Sequence, residues 1–288
     1  METLRWLWRW LWEAGQGAGR HNLPRLAGAF SFFAALSIAP SLVIGVYVTA
    51  RLFGQDDATR PLIDQIRQAV GSAPAEYVAE VIASSRRPEN GLVATLLSLG
   101  IAFFGASNLF AALQDGVNTV FDYRPPGHVV QSWLWMRLRA FVSVAMYGGM
   151  ALIWLLTDSL ITYGAARLPS VWAGALSQVG LLIYLILILA IFFRTLVPVG
   201  VSWRDVWPSA ILTAIGVWLC RNLAGRYFEL IPVTRAYGSA GALIVLLLWI
   251  YYSAQVFFFG LELLRAWLAL QRPNIDGDPM SESPEVGA

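Results

Sequence analysis

The residues of this chain best suited to chemistry are polar groups set in apolar surroundings. Asn108 and Asp115 stand seven residues apart, on one face of a helix, with Gln114 and Asn118 beside them. Such a stripe has two readings. It can hydrogen-bond a neighbouring membrane helix, at an average gain of ~0.6 kcal/mol per contact, or it can line a path for a polar solute. Arg221 and Glu262 also lie in long apolar runs, where a charge at the bilayer centre costs ~2.5–3.5 kcal/mol and must face protein or water. Arg221 calls for a carboxylate, and Glu262, Asp158 and Asp115 are the candidates; simple snorkelling to the interface is the competing reading. Glu262 equally reads as half of an exposed local ion pair with Arg265.

Enzyme chemistry finds little here, and no catalytic residue is assigned. A metal-dependent nuclease needs clustered His, Asp or Glu ligands, whereas the two histidines, His21 and His128, belong to no metal-ligand motif. A metal-free nuclease needs an acid and a base beside a basic groove, and a net charge of +2 offers no polyanion surface. No Walker phosphate loop is present, so intrinsic ATP hydrolysis is not expected. The reading is therefore no enzyme, no cofactor, no metal and no nucleic-acid partner.

These residues are positioned by six runs long and apolar enough to cross a bilayer, at about 27–53, 92–115, 140–160, 171–197, 208–228 and 239–267. Each supplies the ~20 apolar residues that span a core of roughly 30 Å. Continuous apolarity predicts helices, not barrel strands. The composition agrees, at 57% hydrophobic and 13% charged with thirteen tryptophans. The predicted fold is an all-α polytopic membrane domain over 27–270. Residues 1–26 form an interfacial segment in which Leu4, Trp8, Leu11 and Trp12 make an apolar face, with Arg5, Arg9 and Glu13 together on another. Gly15, Gly17 and Gly19 read as a hinge after it. The loop 54–91 carries two short amphipathic helices broken near Pro74, as a packing cover or a substrate gate.

Smaller features complete the frame. Pro40 removes a backbone hydrogen bond and kinks the first span, and Ser37, one turn earlier, is placed to satisfy the freed carbonyl. The kink is architectural, or it gates a site as broken transporter helices do. Tyr237 and Gly238 open the sixth span. Ser202 reads as an N-cap with Asp205 completing a capping box, and Trp203 and Arg204 as interfacial anchors. Cys220 stands alone and forms no internal disulfide. Residues 271–288, rich in Pro, Gly, Ser and acids, read as a disordered tail. All twenty cations are arginine; with both termini in the cytoplasm eleven lie inside and nine outside, and five of those nine sit in the 54–91 loop or at its edge. Discounting that loop favours this orientation.

Several stretches together resemble the YihY/virulence factor BrkB family, formerly labelled ribonuclease BN. They are Ala34-Ala35-Leu36-Ser37-Ile38-Ala39-Pro40, Ala112-Leu113-Gln114-Asp115-Gly116-Val117-Asn118, Pro198 with Ser202-Trp203-Arg204, Tyr237-Gly238-Ser239-Ala240-Gly241-Ala242, and Trp249-Ile250-Tyr251 followed by Gly260-Leu261-Glu262. Ser209 and Leu261 depart from the pattern at packing positions. The resemblance implies a six-helix protein of the bacterial inner membrane, acting in envelope integrity or in moving lipid-like or small molecules.

Two classes of function follow. In one, the bundle is a carrier or flippase-like protein that handles a lipid-like or small amphiphilic solute without hydrolysing ATP. In the other it is a scaffold that binds membrane lipids or another envelope protein and moves nothing. Neither the substrate nor an oligomeric state is legible in the residues.

Overall fold

The computed structural model describes residues 2–37, 63, 75, 79, 105, 108–123, 170–230 and 239–271. Within them the chain is helical: α1 (Glu2–Arg20), α2 (Leu23–Ser37), α3 (108–120), α4 (Ser170–Leu196), α5 (Trp203–Leu230) and α6 (Ser239–Gln271). Three of these, α4, α5 and α6, are long and apolar enough to cross a membrane. The first two expected spans are helical wherever they are described, and the third, 140–160, lies outside the described residues. So does most of the 54–91 loop, of which Ile63, Ala75 and Ala79 are helical.

The surface of these helices is built for lipid. Val179, Ile183 and Leu187 form an exposed stripe along α4, and Trp207, Ile211, Ile215, Leu219 and Leu223 form another along α5. Fourfold spacing keeps each stripe on one face. In water such rows would be an aggregation liability; in hydrocarbon they meet their own kind. The opposite face of α5 carries Ser209, Ala210, Thr213 and Ala214, all buried. Small residues there let α4 and α6 approach closely, which is how helices associate where lipid removes the hydrophobic drive between them.

α6 is the axis of the arrangement. Gly260, Leu261, Glu262, Leu263 and Leu264 are buried in succession, so the helix is enclosed on every side at that level. Missing side chains make room for the crowding. A side chain on Gly260 would strike Thr213 and Phe193, one on Gly116 the Phe258 ring, and one on Gly216 Val256. The Thr213–Gly260 and Gly216–Val256 contacts set α5 and α6 antiparallel, and the Gly116–Phe258 contact sets α3 beside them.

Local chemistry fixes the ends. Asp205 accepts from the Ser202 backbone N–H at 3.3 Å and from its hydroxyl at 2.9 Å, which is the Asp205 half of the expected capping box, and α5 starts at Trp203, earlier than its apolar run. The Arg194 guanidinium sits 4.6 Å over the Trp203 ring and donates to the Val201 carbonyl at 3.4 Å. That clamp closes the turn between α4 and α5.

Two expectations need correction. α1 runs unbroken through Gly15, Gly17 and Gly19, so no hinge exists there. It docks through a second face, Trp6, Trp10, Ala14 and Gly17, while on the apolar face read from the sequence Trp8 and Trp12 stand 68% and 58% exposed and stack on each other. The anchor is a hydrogen bond of 2.7 Å from the Trp10 indole to the Leu263 carbonyl, flanked by the Trp267 ring. Last, the Ser37 hydroxyl donates to the Ala34 carbonyl at 2.8 Å, not to a carbonyl freed by Pro40. Ser37 is a close-packing position: a side chain on Gly105 would press on its backbone. Pro40, Tyr237 and Gly238 lie outside the described residues.

Gly260→Val should destabilise the protein by about 1–3 kcal/mol, because neither Thr213 nor the Phe193 ring can yield without strain. Gly19→Ala, which meets open space in a helix, should be neutral or gain up to about 1 kcal/mol. Thermal unfolding of both variants in the same detergent makes the comparison.

Candidate functional site: a buried glutamate–histidine pair beside a polar cleft

Glu262 is 1% exposed, and a carboxylate at that depth requires a partner. The partner is His21, whose Nδ1 lies 2.5 Å from Glu262 Oε1. His21 Nε2 in turn faces Asp122 Oδ2 at 3.7 Å, and Arg265 donates to the same Asp122 oxygen at 2.9 Å. Four side chains from three separate regions of the chain thus form one network. The expected local pair of Glu262 with Arg265 is not formed: each reaches a residue distant in sequence.

The turns that deliver these groups are specific. Asn22 has φ 51 and closes α1 through its N–H to the Gly19 carbonyl, while its own carbonyl accepts from Arg25 and Leu26 at the start of α2. Asparagine tolerates the left-handed conformation better than most residues and also caps helices. One residue therefore ends one helix and begins the next, holding His21 at the corner. Asp122, with φ 50, closes α3: its N–H reaches the Thr119 carbonyl and the Tyr123 N–H the Asn118 carbonyl. Glycine is the easiest residue for that position. Aspartate there adds the carboxylate that Arg265 and His21 use. Gly17 completes the site, since any side chain on it would collide with the Glu262 carboxyl group.

Next to the network lies a cleft of ≈ 790 Å³. Arg20, His21, Asn22 and Arg25 line one wall, and Gln114, Asp115, Asn118 and Asp122 the other. The structure thus brings three of the sequence-predicted residues, Gln114, Asp115 and Asn118, to one surface. Asn108 is not in that lining. Neither is Arg221, which on the antiparallel register lies about ten residues, or ~15 Å, along the bundle from the level of Glu262. Glu262, committed to His21, is not the partner of Arg221. On the α3 side its lining runs from Ala111 past the helix end to Asp122 and Tyr123, so the cleft extends at least ~10 Å along α3.

Its depth follows from the aromatic side chains. On the same register Trp203 and Trp207, with Arg204, stand level with the last turns of α6 around Trp267, where Trp6 and Trp10 also gather. That band has the composition of a membrane–water interface. α6 has 33 residues, ~50 Å of helix against a core of roughly 30 Å, so its C-terminal turns extend into that interface.

The sequence reading missed His21, Arg25 and Asp122. In the sequence His21 offers only the question of metal ligation, because 241 positions separate it from Glu262, too far for any local pattern. Among the described residues no group of three or more His, Cys, Asp or Glu is placed to hold a metal ion.

The virulence factor BrkB family matches residues 14–283. The chain belongs to that family. Among curated BrkB relatives, the ribonuclease-like protein YfkH of Bacillus subtilis (strain 168) is 28% identical over 260 residues, covering 84% of this chain and 89% of that protein. A UPF0761 membrane protein of Actinobacillus pleuropneumoniae serotype 5b (strain L20) is 25% identical over 248 residues, 83% of this chain and 86% of its own. The UPF0761 membrane protein Nmul_A0452 of Nitrosospira multiformis is 25% identical over 252 residues, covering 84% of this chain but 56% of its own longer one. No solved structure matches. This BrkB protein is a membrane protein, and the ribonuclease name is the family's old label.

His21→Ala should strip the partner from a buried carboxylate and cost about 3–5 kcal/mol. Arg20→Ala, which breaks the half-exposed pair with Glu13, should cost no more than about 1 kcal/mol. A double-mutant cycle of His21→Ala with Glu262→Ala, followed by thermal unfolding in detergent, should return a coupling energy several times that of the Arg20–Glu13 cycle. Equal couplings would show that the buried pair does not hold α1 in place.

Proposed function

We propose that this BrkB protein is a carrier, without ATPase activity, for a lipid-like or small amphiphilic solute, and that the cleft is where the polar part of that solute enters. The observation behind this reading is the polar cleft at the interface level, reaching ~10 Å along α3 from Asp122 to Asp115 beside a fully paired Glu262. Clefts of a few hundred to a thousand Å³ with a few convergent polar groups are the usual form of small-ligand sites. An amphiphile suits the place, because its head can occupy the cleft while its tail stays in lipid along the exposed stripes. Asn108 and Arg221 then belong to the onward path, Arg221 toward its far end, with Pro40, Tyr237 and Gly238 as its gating candidates from the sequence. The topology that goes with this reading has six spans in the bacterial inner membrane, both termini in the cytoplasm, and the cleft on the cytoplasmic side.

A second reading, a scaffold that moves nothing, is favoured by one observation: Leu7, Trp8, Leu11 and Trp12 present an apolar face away from the bundle. Lipid or another envelope protein would cover it.

Reconstitution separates the two. In proteoliposomes, acyl-labelled fluorescent phospholipid should cross the bilayer faster with the protein than without it, read as accessibility to a membrane-impermeant quencher. Asp115→Asn and Arg221→Gln should each slow that movement at least tenfold while leaving thermal unfolding unchanged. A folded protein that moves no labelled lipid and no small amphiphile would leave the scaffold reading.

A further inference from the structure

Most charges around the cleft are already satisfied. Arg20 is held by Glu13, Asp122 by Arg265, and Glu262 by His21. Two are not: among the described residues Arg25, on the α2 wall, and Asp115, on the α3 wall, make no ion pair or hydrogen bond through their side chains. Both line the same ≈ 790 Å³ space, one from α2 and the other from α3. A ligand with one charge would satisfy one wall and leave the other unpaired.

We propose that the cleft selects a zwitterion, a molecule with an acidic phosphate or carboxylate for Arg25 and an ammonium group for Asp115. The guanidinium fork matches the oxygens of either acid in a two-point hydrogen bond. An ammonium group donates three hydrogen bonds, and the Asp115 carboxylate with the carbonyl oxygens of Gln114 and Asn118, one turn apart on the same wall, are acceptors for them. Arg25 and Asp115 are both exposed at the cleft, so either contact alone is weak and the gain comes from making both at once. Discrimination comes from the pairing: a singly charged analogue loses one contact and desolvates the opposite charge without compensation. The proposal rests on reading the cleft as the mouth for the solute. It leaves two sources for the ligand, the head of an aminophospholipid or a free solute with the same two groups.

The full-length protein in nanodiscs of phosphatidylglycerol alone serves for the test. In the solute arm, O-phosphoethanolamine, inorganic phosphate and ethanolamine are titrated by calorimetry. In the lipid arm, nanodiscs with equal phosphatidylethanolamine and phosphatidylglycerol are used, and the lipid retained on release is identified by native mass spectrometry. The expected result is that phosphoethanolamine binds at least tenfold more tightly than either singly charged compound, or that phosphatidylethanolamine is retained at least tenfold over phosphatidylglycerol. The first outcome points to a free solute and the second to a lipid. Arg25→Gln and Asp115→Asn should each remove the preference, and the double exchange Arg25→Asp with Asp115→Arg should restore part of it. Equal binding of phosphate or ethanolamine, no preference in either arm, or a preference that survives both single variants overturns the proposal. A preference with these dependences but no movement of either the labelled lipid or the bound solute in proteoliposomes upholds the zwitterion site and removes the carrier reading. Movement of lipid without any preference does the reverse.

Discussion

A carboxylate buried where α6 is enclosed on every side governs how the rest of the chain must pack. Burying an unpaired charge costs several kcal/mol, and Glu262 has His21 at hand. To deliver that imidazole, α1 must lie across the end of α6, α2 must turn sharply away at Asn22, and Gly17 must lack a side chain. Trp10 then secures the crossing by its hydrogen bond to Leu263, a neighbour of the same glutamate. The amino-terminal helix is thus part of the bundle on one face and a lipid-ready surface on the other.

Much of the membrane architecture was legible because a long apolar run has one common physical explanation. α4 and α6 fall almost where their apolar runs predict, and the Ser202–Asp205 cap was readable from four residues. The polar stripe on α3 was readable too, by helical spacing, although its meeting with the α1–α2 corner was not. What escaped notice shares one property: dependence on distant sequence. Amphipathic spacing showed the exposed Trp8–Trp12 face but not the neighbouring Trp6–Trp10 face that docks, because docking depends on Ala14 and Gly17 leaving room for α6. Likewise the three glycines look like flexible punctuation until Glu262 is set beside the middle one.

The left-handed residues at the two lips of the cleft are instructive for the same reason. Glycine would have been the simplest choice after both α1 and α3. Asn22 and Asp122 stand there instead, each giving the turn a polar side chain at the border of the cleft. Together with Gly116, which seats the Phe258 ring and so draws α3 against α6, they hold the two walls at a fixed separation.

The 241-residue separation between His21 and Glu262 also orders events in time. α6 is the last of the described helices to leave the ribosome, so the first two must be made and inserted long before their partner exists. Until then His21 lacks its Glu262 partner and Trp10 the Leu263 carbonyl. Closure of the amino-terminal corner onto α6 is consequently a late step of assembly, one that brings the two ends of the membrane domain together only after everything between them has been made.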